Sequence, residues 1–146
     1  MPFILVCKAT FHQGTDFFHA ISRGKQCVAN CAVFFVQLEM KKESLTAWTS
    51  VDLDNILCCG DYLYKEIYKA CRLQGYYLHP SNIPCHLQWE NVVFGYKIMS
   101  LCSGMMHPGY EGCLPFLSLE NAFARECNSS SQFIFYCCWK CNRFVF

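Results

Sequence analysis

Hydrophobic positions along the chain change their period several times, and each change marks an element. From Gln26 to Met40, the residues Val28, Cys31, Ala32, Phe35 and Leu38 recur at the three-to-four spacing of a helix face turned to a core. Val33, Phe34 and Val36 leave that helix little polar face, so it is expected to be central. Before it, Phe3 to Ala9 reads as a short strand, and Thr10 to Lys25, with Gly14 and Gly24 among polar residues, reads as a loop. Met40 to Ser50, with Lys41, Lys42, Glu43 and Ser44, reads as a solvated connection. A second helix from about Asp52 to Leu73 sets Leu53, Ile56, Leu57, Tyr64, Ile67, Tyr68 and Cys71 on one side. Asp52 and Asp54 suit the positive end of its dipole, and Gly75 follows its other end.

The second half alternates less regularly. Tyr76 to Pro115 holds four prolines and four glycines, a composition of loops with one or two edge strands. Ser118 starts a short helix through about Cys127, and Asn128 to Ser131 is a turn. Gln132 to Trp139 is a continuous apolar run, the pattern of a strand buried on both faces. Lys140 to Arg143 then forms a hairpin connection into a second strand at Phe144, Val145 and Phe146. The pattern is α+β, and without repeats or charge blocks residues 1–146 read as one domain. Because the last three residues look like the start of a core strand, the expectation is a domain incomplete at its C-terminus.

Composition narrows the classes. The chain is 53% hydrophobic and only 16% charged, against about 25% charged in ordinary soluble domains, which excludes disorder. A net charge of +1 gives no electrostatic reason to expect nucleic acid or an anionic membrane as partner. Thirteen cysteines in 146 residues would suit a disulfide scaffold in a small secreted chain. Here the count is odd, Cys58–Cys59 and Cys137–Cys138 are adjacent in sequence, and the core needs no staples. Reduced thiols in an intracellular compartment fit better, most of them acting as small buried hydrophobes. The apolar run from Phe3 to Cys7 lacks the basic flank and cleavage site of a signal peptide, and Cys31 to Val36 and Phe133 to Trp139 are far too short for a membrane span.

One cysteine has a chemical position. In Ser22-Arg23-Gly24-Lys25-Gln26-Cys27-Val28-Ala29-Asn30-Cys31, Gly24 relaxes a turn and Cys27 falls in the first turn of the apolar helix. Unpaired N–H groups and the helix dipole stabilise a thiolate there. Gln13, in the loop before the helix, carries an amide able to donate to a developing oxyanion. Position alone separates neither residue from a structural thiol or a solvated loop amide.

At these residues the sequence resembles a known family. Phe11-His12-Gln13-Gly14, the segment Ser22 to Asn30, Asp52-Leu53-Asp54-Asn55-Ile56-Leu57 and Gly60-Asp61-Tyr62-Leu63-Tyr64 are similar to the ubiquitin-specific cysteine protease domain of herpesvirus large tegument proteins. They are more similar still to its relatives in animal mobile-element proteins. The specific motifs lie in the first half; Phe116 to Phe123 and Phe133 to Phe146 agree in pattern only. The resemblance implies a papain-like cysteine protease fold with the central helix packed on an antiparallel sheet. It implies Cys27 as nucleophile, Gln13 in the oxyanion hole, ubiquitin or a ubiquitin-like protein as partner, no cofactor, and isopeptide hydrolysis after ubiquitin's C-terminal glycine.

The family's histidine, with an aspartate two residues before it, follows the hairpin, and this sequence has no such pair. Its last aspartate is Asp61 and its last histidine His107. The expectation is therefore a truncated, weakly active or inactive peptidase, with no general base or orienting acid identified. His12, His19, His79 and His86 are substitutes only if the fold brings one to Cys27. Other classes stay open. A noncatalytic module could hold ubiquitin without cutting it. A zinc site could use Cys138 and Cys141 with Cys7, Cys85 or His86, though the sequence has only one Cys-x-x-Cys pair. A redox role for Cys138-Trp139-Lys140-Cys141 is weaker, because that segment does not open a helix.

Overall fold

A computed structural model describes residues 7–42, 45–72 and 77–95, together with strand backbone at 103–105, 136–138 and 143–145. The chain divides into two units, Met1–Lys97 and Ile98–Phe146. In the first, helix α1 spans Cys27–Lys41 and helix α2 spans Ser50–Cys71, and a hairpin follows, β1 His86–Trp89 and β2 Val92–Gly95. In the second, β3 Ser103–Met105, β4 Tyr136–Cys138 and β5 Arg143–Val145 form an antiparallel sheet in the order β3-β5-β4.

Helix α1 begins one residue later than its periodicity suggests and rotates its core face. The buried positions are Val28, Ala29, Ala32, Val33 and Val36, while Cys31, Phe35 and Leu38 are only partly buried. The reason is the neighbour: α2 packs along α1, and small residues such as Ala29 and Ala32 let the two axes come close. Lys42 ends α1 in the left-handed conformation at φ 51° and donates its N–H to the Leu38 carbonyl at 3.2 Å.

Between the helices the chain is not simply solvated. Leu45–Ala47 forms a 3-10 turn, and Trp48 is buried against Val33 and Ile56. Trp48 contacts Phe34, with ring centroids 5.3 Å apart, and the Lys41 ammonium lies 5.5 Å from its ring centre. A lone tryptophan between Ala47 and Thr49 carries no helical period, so its core role was invisible along the sequence.

Helix α2 starts two residues earlier than Asp52. Thr49 and Asp52 form a reciprocal capping box, with Asp52 accepting the Thr49 N–H at 2.8 Å. Lys41 adds an ion pair to Asp52, joining the end of α1 to the start of α2. The helix closes at Arg72, left-handed at φ 44°, before Gly75 is reached. Ile56, Tyr64 and Ile67 are buried as their spacing predicts; Cys71 is exposed, and the buried set also includes Gly60 and Asp61.

The hairpin pairs His86 with Gly95 and Trp89 with Val92. Trp89 packs against the cluster of Val33, Trp48 and Ile56, which joins this small antiparallel sheet to the helices. Among the described residues, Tyr76 to Pro115 holds three strands where one or two edge strands were expected. The hairpin expected near the C-terminus is present as β4 paired with β5. Residues 7–9 are not a strand; residues 1–6 and the helix expected from Ser118 to Cys127 lie outside the described residues. Among the described residues, no helix is long and apolar enough to cross a membrane.

Candidate active site

The loop before α1 is folded on itself and fastened at both ends. At its start, Thr10 donates its backbone N–H and its hydroxyl to the Asp54 carboxylate, at 2.8 and 2.7 Å, which ties it to α2. Near its end, Gly24 donates its N–H to the Gln13 carbonyl at 2.8 Å. Gly24 sits at φ +71°, a region that penalises a Cβ, which is why glycine serves this turn. Arg23 steadies the loop through an ion pair to Asp16 at 2.7 Å and a bond from Nε to the Phe18 carbonyl. Phe11, Phe17 and Phe18 pack in tilted and edge-to-face pairs with centroids 5.0 to 5.7 Å apart. Eleven residues after Gln13, the chain therefore returns to it just before entering α1.

Cys27 is the first residue of α1, half-buried. No side chain caps this helix and its own first turn holds no acid. Gln26 could have capped it but is turned inward. It is fully buried, its Nε2 donates to Asp61 Oδ1 at 3.0 Å, and its Oε1 accepts the Lys25 N–H at 3.1 Å. Asp61 also takes an ion pair from Lys65 at 2.6 Å and a hydrogen bond from Ser22. Burial alone would push its carboxyl up, but the bonds from Lys65, Ser22 and Gln26 outweigh burial and hold it below the usual aspartate value. The turn carrying Cys27 is thus anchored to α2 by an ionised carboxylate.

Gln13 reaches the same helix. Its Oε1 accepts from Asn30 Nδ2 at 3.2 Å, and Asn30 follows Cys27 by three residues, on the same face of α1. The fold therefore brings Gln13 and Cys27 to one end of one helix. Tyr64 of α2 is also close: burial first, then Tyr68, Tyr77 and Cys27, push its phenol up to about 12, so it is a neutral hydroxyl at physiological pH.

The described histidines serve local turns. His12 Nδ1 accepts the Gly14 N–H at 3.1 Å and His19 Nδ1 the Ile21 N–H at 3.3 Å. His79 Nδ1 takes the Ser81 N–H and lies 2.7 Å from the Ser81 hydroxyl; His86 Nδ1 lies 3.2 Å from Cys85 Sγ. A ring nitrogen that accepts a backbone N–H cannot carry a proton while that bond holds. His107 and Cys141 lie outside the described residues, as does the side chain of Cys138.

Sequence reading missed Asn30, Asp61 and Tyr64 as parts of this site. Two signals were available: Asn30 stands one turn from Cys27, and Gly60-Asp61 interrupts the apolar side of α2, where a glycine marks close packing.

Residues 8–137 match the family model described as herpesvirus tegument protein, N-terminal conserved region. Among solved structures, the fold matches the ubiquitin-specific protease encoded by murine cytomegalovirus tegument protein M48, in complex with a ubiquitin-based suicide substrate. The match has a TM-score of 0.64 at 16% sequence identity, and it covers 88% of this chain and 56% of that one. The chain thus shares the α+β fold of that viral ubiquitin-specific protease while spanning little more than half the length of the matched structure. No curated protein matches it.

Proposed function

Since the chain belongs to the herpesvirus tegument protein N-terminal conserved region family, we propose that it is a deubiquitinase-like cysteine peptidase domain. Cys27 is the nucleophile, Gln13 the oxyanion donor, and ubiquitin or a ubiquitin-like protein the partner. The observation that carries this reading is the meeting of Gln13 and Cys27 at the uncapped end of α1, through a loop closed by the Gly24–Gln13 bond. The ubiquitin-based substrate in the matched viral protease supports the choice of partner.

In the reaction, the Cys27 thiolate attacks the carbonyl carbon of ubiquitin's C-terminal glycine. A C–S bond forms and the carbonyl electrons move to oxygen, where the Gln13 amide donates to the developing charge. Collapse breaks the C–N bond, the lysine amine leaves with a proton, and water cleaves the thioester. Proton transfer needs a base and acid, and no Asp-x-His follows Asp61 in these 146 residues. Capture of ubiquitin at Cys27 needs only the thiolate, whereas turnover needs the base and acid as well.

A ubiquitin derivative with an electrophilic C-terminus tests the reading. It should modify the chain at Cys27, by mass spectrometry, and fail on Cys27→Ala, while a fluorogenic ubiquitin substrate turns over slowly. The local bonds made by His12, His19 and His79 favour a second reading, a noncatalytic ubiquitin-binding module. That reading requires ubiquitin binding that survives Cys27→Ala, together with no capture by the wild-type chain.

A further inference from the structure

We propose that Asn30 is a positioning residue that sets which end of the Gln13 amide faces the reacting carbonyl, with Gly60 fixing Asn30 in turn. This inference rests on the reading of Gln13 as the oxyanion donor. An oxyanion hole needs the amide nitrogen of Gln13 turned to the substrate, yet a glutamine on a loop can present either end. The orientation is decided two residues away. A Cβ built on Gly60 would stand 1.8 Å from Asn30 Oδ1, so the hydrogen that glycine carries in that direction points at this oxygen. Asn30 Oδ1 is buried there and has no N–H or O–H partner among the described residues. A carbonyl oxygen fits against a Cα–H, whereas an NH2 group would meet it hydrogen to hydrogen.

With its oxygen held against Gly60, Asn30 presents Nδ2 to Gln13, and Gln13 must answer with Oε1, at 3.2 Å. Gln13 Nε2 is thereby turned away from Asn30, and among the described residues nothing accepts from it. The Gly24–Gln13 backbone bond fixes the other end of the same residue. The order Gly60, Asn30, Gln13 therefore converts a packing contact between helices into the direction of a hydrogen-bond donor. Asn30 touches no reacting atom.

The isosteric substitution Asn30→Asp reverses this polarity, because a carboxylate accepts and would draw Gln13 Nε2 to itself. Two ubiquitin derivatives separate the effects on the full chain. A C-terminal aldehyde adds the Cys27 thiolate at carbon to give a hemithioacetal whose oxygen occupies the oxyanion hole. A C-terminal alkyne adds the same thiolate to give a vinyl thioether, a proton coming from solvent, and makes no oxyanion. In Asn30→Asp, affinity for the aldehyde should fall at least about tenfold, towards the roughly 10²–10³-fold cost of removing an oxyanion donor outright. Capture by the alkyne should stay near the wild-type rate. Unchanged aldehyde affinity, or equal loss with both derivatives, overturns the proposal. The side-chain amide resonances of Gln13 give a readout that needs no ubiquitin. They should be ordered in the wild-type chain and mobile in Asn30→Ala; a mobile amide in the wild type, or one indifferent to Asn30→Ala, also overturns it. Failure of wild type to capture either derivative sinks the functional reading, and the amide resonances then decide the Asn30–Gln13 pairing on their own.

Discussion

Gly60 of α2 stands against Asn30 of α1 so closely that a Cβ on the glycine would lie 1.8 Å from Asn30 Oδ1 and 2.9 Å from the Asn30 Cα. The first of these atoms belongs to a side chain that can turn; the second belongs to backbone that cannot move without parting the helices. Gly60→Ala gains about 1 kcal/mol of helix propensity, against an overpacking cost of roughly 1–3 kcal/mol that the clash with backbone drives to its upper end. The variant should therefore lose about 1–2 kcal/mol by urea unfolding. Adding Asn30→Ala should recover only part of that loss, because the clash with the α1 backbone remains.

Gln26 and Asp61 make the second link between the turn carrying Cys27 and α2. Gln26→Ala leaves a buried carboxylate short of one donor, a change expected to cost roughly 1–3 kcal/mol. The same variant should also slow capture of ubiquitin derivatives at Cys27, since the turn that aims the thiol loses an anchor. Loss of stability with unchanged capture would confine Gln26 to packing.

Two cysteines on one helix offer a chemical contrast. Cys27 and Cys31 are both half-buried, but Cys27 lies at the positive end of α1 while burial pushes the Cys31 thiol up. Limited alkylation with iodoacetamide at pH 7 should label Cys27 before Cys31. Peptide mass spectrometry reads the order; equal labelling would remove the role assigned to the helix end.

Asp52 sets an acid limit on the helix pair. The hydrogen bond from Lys41 first, then those from the Thr49 backbone and hydroxyl, hold its carboxyl down at about 2. In the unfolded chain an aspartate titrates near ~3.9. A folded value below the unfolded one gives stability that is full above about pH 4 and is lost as pH falls through about 2. Wild type should thus unfold at higher urea than Asp52→Asn at pH 7, and the two midpoints should converge as pH falls from 4 towards 2.

Trp48 is the clearest core residue outside the helices. It is buried, its Nε1 has no partner among the described residues, and it touches Phe34 and Lys41. Trp48→Ala should cost about 3–5 kcal/mol. Trp48→Phe should cost much less, because it keeps an aromatic ring and removes a buried donor that makes no bond. Urea midpoints of the two variants check the order.

Neighbouring residues alone specify the two helices, the loop before the first, the C-terminal hairpin and the place of Cys27 at a helix start. A helical period, glycines in a polar stretch, an apolar run broken by a turn, and a cysteine opening an apolar helix are all local signals. Packing between distant segments settles which face of α1 is buried, that Trp48 belongs to the core, and that Asn30, Gly60, Asp61 and Tyr64 lie around the candidate site. Those facts depend on contacts between residues distant in the chain, such as Gln26 with Asp61 and Thr10 with Asp54. A hydrogen bond across 35 or 44 residues leaves no period to read. It exists because α2 comes close enough to α1 at a glycine for one helix to orient the side chains of the other.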